Sequence, residues 1–167
     1  MNKVLLTVIA LLLLGALGAA LFVESGFYDI GADDHHTKAT LALITQLRDR
    51  SIAARLGEIK PQLAPTPAMI KAGAEQYAAR CVGCHLAPGL LKSELRTGLY
   101  PHPPNLAQED LQESRRAFWI IKHGIKMSAM PAWGKTLDDD QIWDLVAFVR
   151  KMPNLTAEDY RQLAQRP

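Results

Sequence analysis

Two cysteines and a histidine stand in one short stretch, Cys81-Val82-Gly83-Cys84-His85, and they are the residues best suited to chemistry. The chain contains no other cysteine. On one turn of helix, side chains at positions i and i+3 lie on the same face, so both thiols could add to the two vinyl groups of one porphyrin. The imidazole of the adjacent His85 would then face the iron. This spacing is typical of covalent attachment of one haem c.

Three other uses of the same cysteines remain open. A structural zinc site needs four ligands, and without a second C-x-x-C pair it would have to recruit distant histidines. A thioredoxin-like redox pair would need a βαβ context, which the sequence lacks. A disulfide across so short a loop would constrain the unfolded chain very little.

The first residues form an apolar run from Val4 to Val23, 20 residues without a charge, which is long enough to cross a bilayer as a helix. Lys3 precedes the run, so the positive-inside rule predicts a cytoplasmic N-terminus and an exported remainder. A cleaved signal peptide is the alternative, since Gly18, Ala19 and Ala20 could form a cleavage site. The apolar run continues through Val23, which favours an uncleaved anchor.

Export agrees with haem attachment, which takes place outside the bacterial cytoplasm. We therefore expect a single-pass protein of the bacterial inner membrane with its main domain in the periplasm. The formal net charge of +2 and the absence of a basic stripe give no support for nucleic-acid binding.

A second helical stretch is predicted from about Thr37 to Ile59, where Leu43, Ile44, Leu47 and Ile52 recur near helical spacing. This amphipathic helix could pack on the following domain, lie on the membrane or dock on a partner subunit. The preceding Asp33-Asp34-His35-His36 could be a metal site, but aspartates at a helix start are more typical of capping.

Two further helices are predicted, one directly before the cysteines and one near the C-terminal end of the chain. Thr66 and Pro67 are typical of a helix start that leads to the cysteines. Leu137 to Asp140 begins another helix, with acidic residues in its first turn and with Arg150 and Lys151 in its last, as the helix dipole favours.

At these residues the chain resembles the class I c-type cytochromes, an all-α fold. Gly73 and Tyr77 match the glycine and aromatic residue of that family's N-terminal helix. Leu145 and Phe148 match the paired positions of its C-terminal helix. The resemblance implies that the two helices cross where glycine permits close approach.

The resemblance extends to the residues around the haem. Pro104-Asn105-Leu106 is similar to the segment whose proline carbonyl accepts a hydrogen bond from the ligating imidazole. Met130-Pro131 resembles the segment that supplies the distal ligand. Trp119 and Trp133 are candidates for the haem pocket, although plain core packing would also explain them.

The distal ligand has other candidates in Met127, Met152 and two histidines, His102 and His123, and an open position is also conceivable. Met130 is preferred because residues 130–134 resemble the distal loop of the family. A predicted helix from Ser114 to Lys122, closed at Gly124, lies between it and His85.

The predicted organisation has four parts. Residues 1–24 form a transmembrane anchor, 25–65 a linker with the extra amphipathic helix, 66–155 the cytochrome c domain and 156–167 a short helix or tail. Ligation by His85 and Met130 leaves no vacant position on the iron, so the expected chemistry is one-electron transfer rather than enzymatic turnover of a small-molecule substrate.

The function that follows is a membrane-tethered periplasmic carrier in a respiratory chain, with redox proteins as partners. One alternative is a fixed haem subunit of a larger membrane oxidoreductase, such as a dehydrogenase or a terminal oxidase. Another is a haem enzyme or gas sensor in which Met130 leaves the iron.

Overall fold

The computed structural model describes residues 2–62, 64–109, 111 and 113–165. The described residues form helices, turns and irregular segments without a β-strand, which confirms the all-α prediction. The chain divides into two compact units, residues 1–34 and 35–167.

The first unit is built around α1 (Lys3–Glu24), a helix of 22 residues. With a mean hydropathy of 2.7, the helix is long and apolar enough to cross a membrane. None of its residues is buried. Asn2 caps its first turn by accepting a hydrogen bond from the Val4 amide at 3.4 Å. In this part of the chain the structure therefore matches the predicted apolar span.

The second unit begins with α2 (Lys38–Ala53), followed by a short 3₁₀ turn, Leu56–Glu58. The α-helix ends six residues before the predicted limit at Ile59. Its N-cap is Thr37, which accepts a hydrogen bond from the Thr40 amide at 3.2 Å. The expectation that the aspartates would cap this helix was therefore wrong, because a threonine hydroxyl closer to its start fills that role.

The remaining helices form the larger part of the second unit. They are α3 (Pro67–Arg80), α4 (Val82–His85), α5 (Glu94–Thr97), α6 (Ser114–His123), α7 (Asp139–Lys151) and α8 (Ala157–Ala164). Short 3₁₀ turns lie at Trp133–Lys135 and Met152–Asn154. The ends of α3, α6 and α7 fall within one or two residues of the predicted ones.

The helix starts follow local capping chemistry. Thr66 accepts a hydrogen bond from the Met69 amide at 3.3 Å, and Pro67 occupies the first turn of α3. Asp138 and Gln141 form a reciprocal capping box at the start of α7, with distances of 2.8 and 3.1 Å. These caps place the helix starts without tertiary contacts.

The core lies where α3 crosses α7, with α6 and α8 packed around this pair. Gly73 permits the crossing, since a Cβ built there would lie 2.6 Å from the Asp144 carbonyl carbon and 2.8 Å from the Phe148 Cβ. Tyr77 and Phe148 are fully buried, with ring centroids 5.2 Å apart. The crossing places the C-terminal end of α3, and hence Cys81, beside the core.

Candidate functional site

Cys81 and Cys84 lie at the junction of α3 and α4. The Cys84 and His85 amides both donate to the Cys81 carbonyl, at 3.1 and 2.9 Å, so the two cysteines and the histidine share one helical turn. Both thiols are free and half-buried, so the structure contains no disulfide between them. Burial raises the pKa of the Cys81 thiol to about 12, although the neighbouring Arg80 opposes this change.

His85 is oriented by the segment that contains Pro104. Its Nδ1 lies 3.0 Å from the Pro104 carbonyl oxygen, and the Leu106 amide donates to the His85 carbonyl at 3.1 Å. With Nδ1–H donating to Pro104, Nε2 is left as the atom with a free lone pair. The imidazole is thus fixed in the tautomer that binds a metal through Nε2.

Burial lowers the pKa of His85, and the positive charge of Arg96 adds to this effect, while the hydrogen bond to Pro104 opposes it. A neutral imidazole is the form that ligates metals. The surroundings of His85 therefore favour the protonation state that coordination to iron requires.

A strained residue follows His85 directly. Leu86 has a φ of 61°, a value unusual for a bulky side chain, and it is fully buried. The Tyr77 hydroxyl donates to the Leu86 carbonyl at 2.6 Å. Burial raises the pKa of Tyr77 well above its usual value, so its hydroxyl keeps the proton that it donates. Tyr77 therefore holds the chain in the turn that ends the cysteine–histidine segment.

Arg96 lies beside the segment that orients His85, and it was not predicted from the sequence. Its Nη2 donates to the Pro103 carbonyl at 3.0 Å, next to the residue that orients His85. Its Nε is buried and has no hydrogen-bond partner among the described residues. A single arginine in a polar stretch carries no sequence signal for this role, because only the fold brings it near His85.

Met130 lies in a tight loop after α6. Its amide donates to the Ser128 hydroxyl at 3.1 Å, and its carbonyl accepts from the Ile125 amide at 3.1 Å. Gly124 has a φ of 66°, and a Cβ there would lie 2.6 Å from the Met130 carbonyl oxygen. The loop therefore requires glycine at the end of α6 to bring Met130 into position.

The other candidate distal ligands occupy different environments. The Met127 side chain is 99% exposed, whereas Met130 is half-buried. Met152 is fully buried in the helical core, and His102 and His123 are exposed. Among these candidates, Met130 thus combines a backbone held by hydrogen bonds with a side chain that is partly accessible to solvent.

The two candidate tryptophans lie in different places. Trp133 is half-buried against the core at the start of the turn that follows Met130. Trp119 has its ring 4.8 Å from that of His123 and lines a groove of about 630 Å³ together with Arg55, Lys60 and Trp143. Their assignment to a haem pocket stays a prediction.

The residues present fit a haem. Its propionate groups are acceptors for an unpartnered donor such as Arg96 Nε, and Nε2 of His85 is available to iron. Half-buried apolar side chains, of the kind that can line a porphyrin, pack on the core, and they include Val82, Leu106, Leu111 and Ile121. Among the described residues, no group of three or more His, Cys, Asp and Glu side chains could hold a metal ion such as zinc.

Comparison with known proteins agrees with this geometry. Residues 68–149 match the family model described as cytochrome C oxidase, cbb3-type, subunit III. No curated protein shows a significant match to the chain. The matched range runs from the first turn of α3 almost to the end of α7, and so includes both crossing helices. Residues 68–149 therefore form a monohaem c-type cytochrome domain, which implies one covalently bound haem c.

Proposed function

We propose that this protein is a membrane-tethered monohaem cytochrome that carries single electrons on the periplasmic side of a bacterial inner membrane. The observation that carries the proposal is the 3.0 Å contact between His85 Nδ1 and the Pro104 carbonyl, on the same helical turn as two free thiols. When bound, haem c supplies reversible one-electron chemistry.

The roles of the chain's own residues follow from their positions. Cys81 and Cys84 would hold the haem through thioethers, and His85 would be the proximal ligand. Met130 would be the distal ligand, and its thioether sulfur favours ferrous iron and so raises the potential. If His85 and Met130 both bound the iron, no position would remain for oxygen or a substrate, which supports electron transfer rather than an enzymatic reaction.

Substitution of Met130 tests the distal ligand. In Met130→Ala we expect loss of the weak far-red band that methionine ligation gives to ferric haem, a lower midpoint potential and binding of carbon monoxide to the ferrous form. The measurements are absorption spectra and redox titration of the detergent-extracted holoprotein.

Met127→Ala is the matched control, because Met127 lies three residues earlier and is almost fully exposed. We expect its spectrum and potential to equal those of the wild type. If Met127→Ala loses the far-red band and Met130→Ala keeps it, the assignment is wrong. Carbon monoxide binding by the wild-type ferrous protein would favour a haem enzyme or gas sensor.

A second candidate is a fixed haem subunit of a larger membrane oxidoreductase. The description of the matching family, an oxidase subunit, favours this alternative. Native electrophoresis of mildly solubilised membranes, stained for haem, separates the two. A carrier migrates alone, whereas a subunit migrates with a large complex that resists raised salt.

A further inference from the structure

Within the second unit, helix α2 packs against α6. Asp49 accepts from the Arg116 guanidinium on α6 at 2.7 Å, and Ile52 is the buried apolar residue of this helix. The opposite side leaves Leu43 and Leu47 67% and 68% exposed. These two leucines are one helical turn apart, so they form a continuous apolar ridge, here called the Leu43–Leu47 face.

The charged residue nearest to this face is basic. Asp49 is the acidic residue of α2, and it is already paired with Arg48 and Arg116. Arg50 is exposed and lies three residues after Leu47, on the leucine side of α2, and Arg55 follows just beyond the helix. An apolar ridge beside a basic residue is complementary to a surface that is apolar below and anionic above.

The length of the connection limits where α2 can go. Helix α1 ends at Glu24 and α2 begins at Lys38, so residues 25–37 separate them. Thirteen residues span at most about 45 Å when fully extended. Phe27 and Ile30 within this connection are also strongly exposed. If α1 spans a bilayer, α2 stays within reach of the same bilayer, a step that rests on the proposed anchor.

We propose that the Leu43–Leu47 face docks on the surface of a bilayer that contains anionic lipids. Lipid is favoured over a protein partner because the connection keeps the face near lipid and because its charge pattern matches anionic headgroups. Since Ile52 and Asp49 fix α2 to the rest of the second unit, such docking would restrict rotation of the cytochrome domain about residues 25–37. The cytochrome domain would thereby keep one orientation relative to the membrane surface.

Photo-crosslinking in vesicles of defined composition tests this proposal. The full-length holoprotein with Leu47→Cys carries one free thiol, because Cys81 and Cys84 are held in thioethers, and this thiol takes a benzophenone label. The matched control is Leu91→Cys, since Leu91 is an exposed leucine outside α2. The vesicles contain phosphatidylethanolamine and phosphatidylglycerol, and no other protein is present.

We expect several-fold more phospholipid adduct, by intact mass, from the label at position 47 than from that at 91. We also expect this excess to fall in vesicles of phosphatidylcholine alone. Equal lipid adduct at the two positions would overturn the proposal and leave a protein partner as the occupant. A crosslinked dimer at position 47 would overturn it in favour of a second copy.

The same samples separate this proposal from the proposed function. A haem absorption spectrum and an intact mass that includes residues 1–24 show that the cytochrome and its anchor are present. If both are present and position 47 gives no excess of lipid adduct, only the docking proposal fails. If haem or anchor is absent, the proposed function fails.

Discussion

At the scale of single residues, the environment of His85 sets the chemistry of the site. The Pro104 carbonyl fixes the imidazole tautomer, and the positive charge of Arg96 helps to lower the pKa of His85. The guanidinium of Arg96 is held by the Pro103 carbonyl through Nη2, while its Nε remains without a partner among the described residues. Arg96 therefore places a fixed positive charge beside the proposed proximal ligand.

Removal of this charge gives a prediction for the potential. A nearby cation stabilises the less positive, reduced iron, so Arg96→Gln should lower the midpoint potential of the holoprotein. Redox titration measures the change, and Arg161→Gln is the control because Arg161 is an exposed residue paired with Glu158 on α8. An unchanged potential in Arg96→Gln, or an equal fall in the control, would contradict this role.

At the scale of elements, the crossing of α3 and α7 determines where Cys81 lies. Gly73 is buried at the crossing, and a methyl group there would overlap the backbone of Asp144. Backbone atoms cannot turn aside as a flexible side chain can, so the helices would have to separate. The glycine thus links helix packing to the position of the haem-attachment turn.

We expect Gly73→Ala to lower the free energy of unfolding of the holoprotein by about 1–3 kcal/mol, or to prevent folding. Urea unfolding followed by far-UV circular dichroism measures this change. Gly57→Ala is the control, because nothing lies within 4 Å of a Cβ built at Gly57. A Gly73→Ala protein as stable as this control would show that the helices do not cross as closely as described.

Helix α2 is attached chiefly by a buried apolar contact. Ile52 is 1% exposed, whereas the ion pair between Asp49 and Arg116 is partly solvated. A solvated ion pair contributes about 0–1 kcal/mol, and removal of a buried isoleucine side chain costs about 2–5 kcal/mol. Apolar burial should therefore dominate the attachment of this helix.

Hydrogen exchange of the α2 amides tests whether burial of Ile52 stabilises α2 more than the ion pair of Asp49 does. Ile52→Ala should accelerate exchange across Lys38–Ala53 far more than Asp49→Asn does, while α7 remains protected in both proteins. Equal acceleration in the two variants would mean that the ion pair contributes as much as apolar contact. Faster exchange in α7 would mean that α2 supports the whole domain.

At the scale of the whole molecule, the proposed function gives the apolar α1 and the cytochrome domain separate tasks. A helix of 22 residues with a mean hydropathy of 2.7 fits a bilayer span by length and composition. A tether raises the effective concentration of a redox domain near membrane partners. This advantage exists only if the apolar segment stays attached after export.

Intact mass spectrometry of the protein purified from membranes decides this point. We expect a mass that includes α1 and one haem, because the apolar run continues beyond Ala20. A mass that lacks the first 20 residues would show cleavage after Ala20 and a periplasmic protein without this anchor. The haem increment in the same spectrum serves as the internal control.

The features that depend on local spacing follow from the amino-acid sequence. The cysteine–histidine turn, the capped starts of α3 and α7, the apolar span and the family of the domain could all be predicted, because caps, helical period and motif spacing are short-range properties. The c-type cytochrome family, the all-α fold and haem c are confirmed, whereas the roles of His85, Pro104 and Met130 remain predictions for the experiments above.

Which distant residues meet depends on how the helices pack. The buried Nε of Arg96, the contact of Tyr77 with Leu86 and the outward direction of Leu43 and Leu47 had no sequence signal. Periodicity predicts that a helix has an apolar side, but it cannot say which side a neighbouring helix covers. In α2 the covered side carries the buried Ile52 together with Asp49, which pairs with Arg116 on α6, and Leu43 and Leu47 face outward.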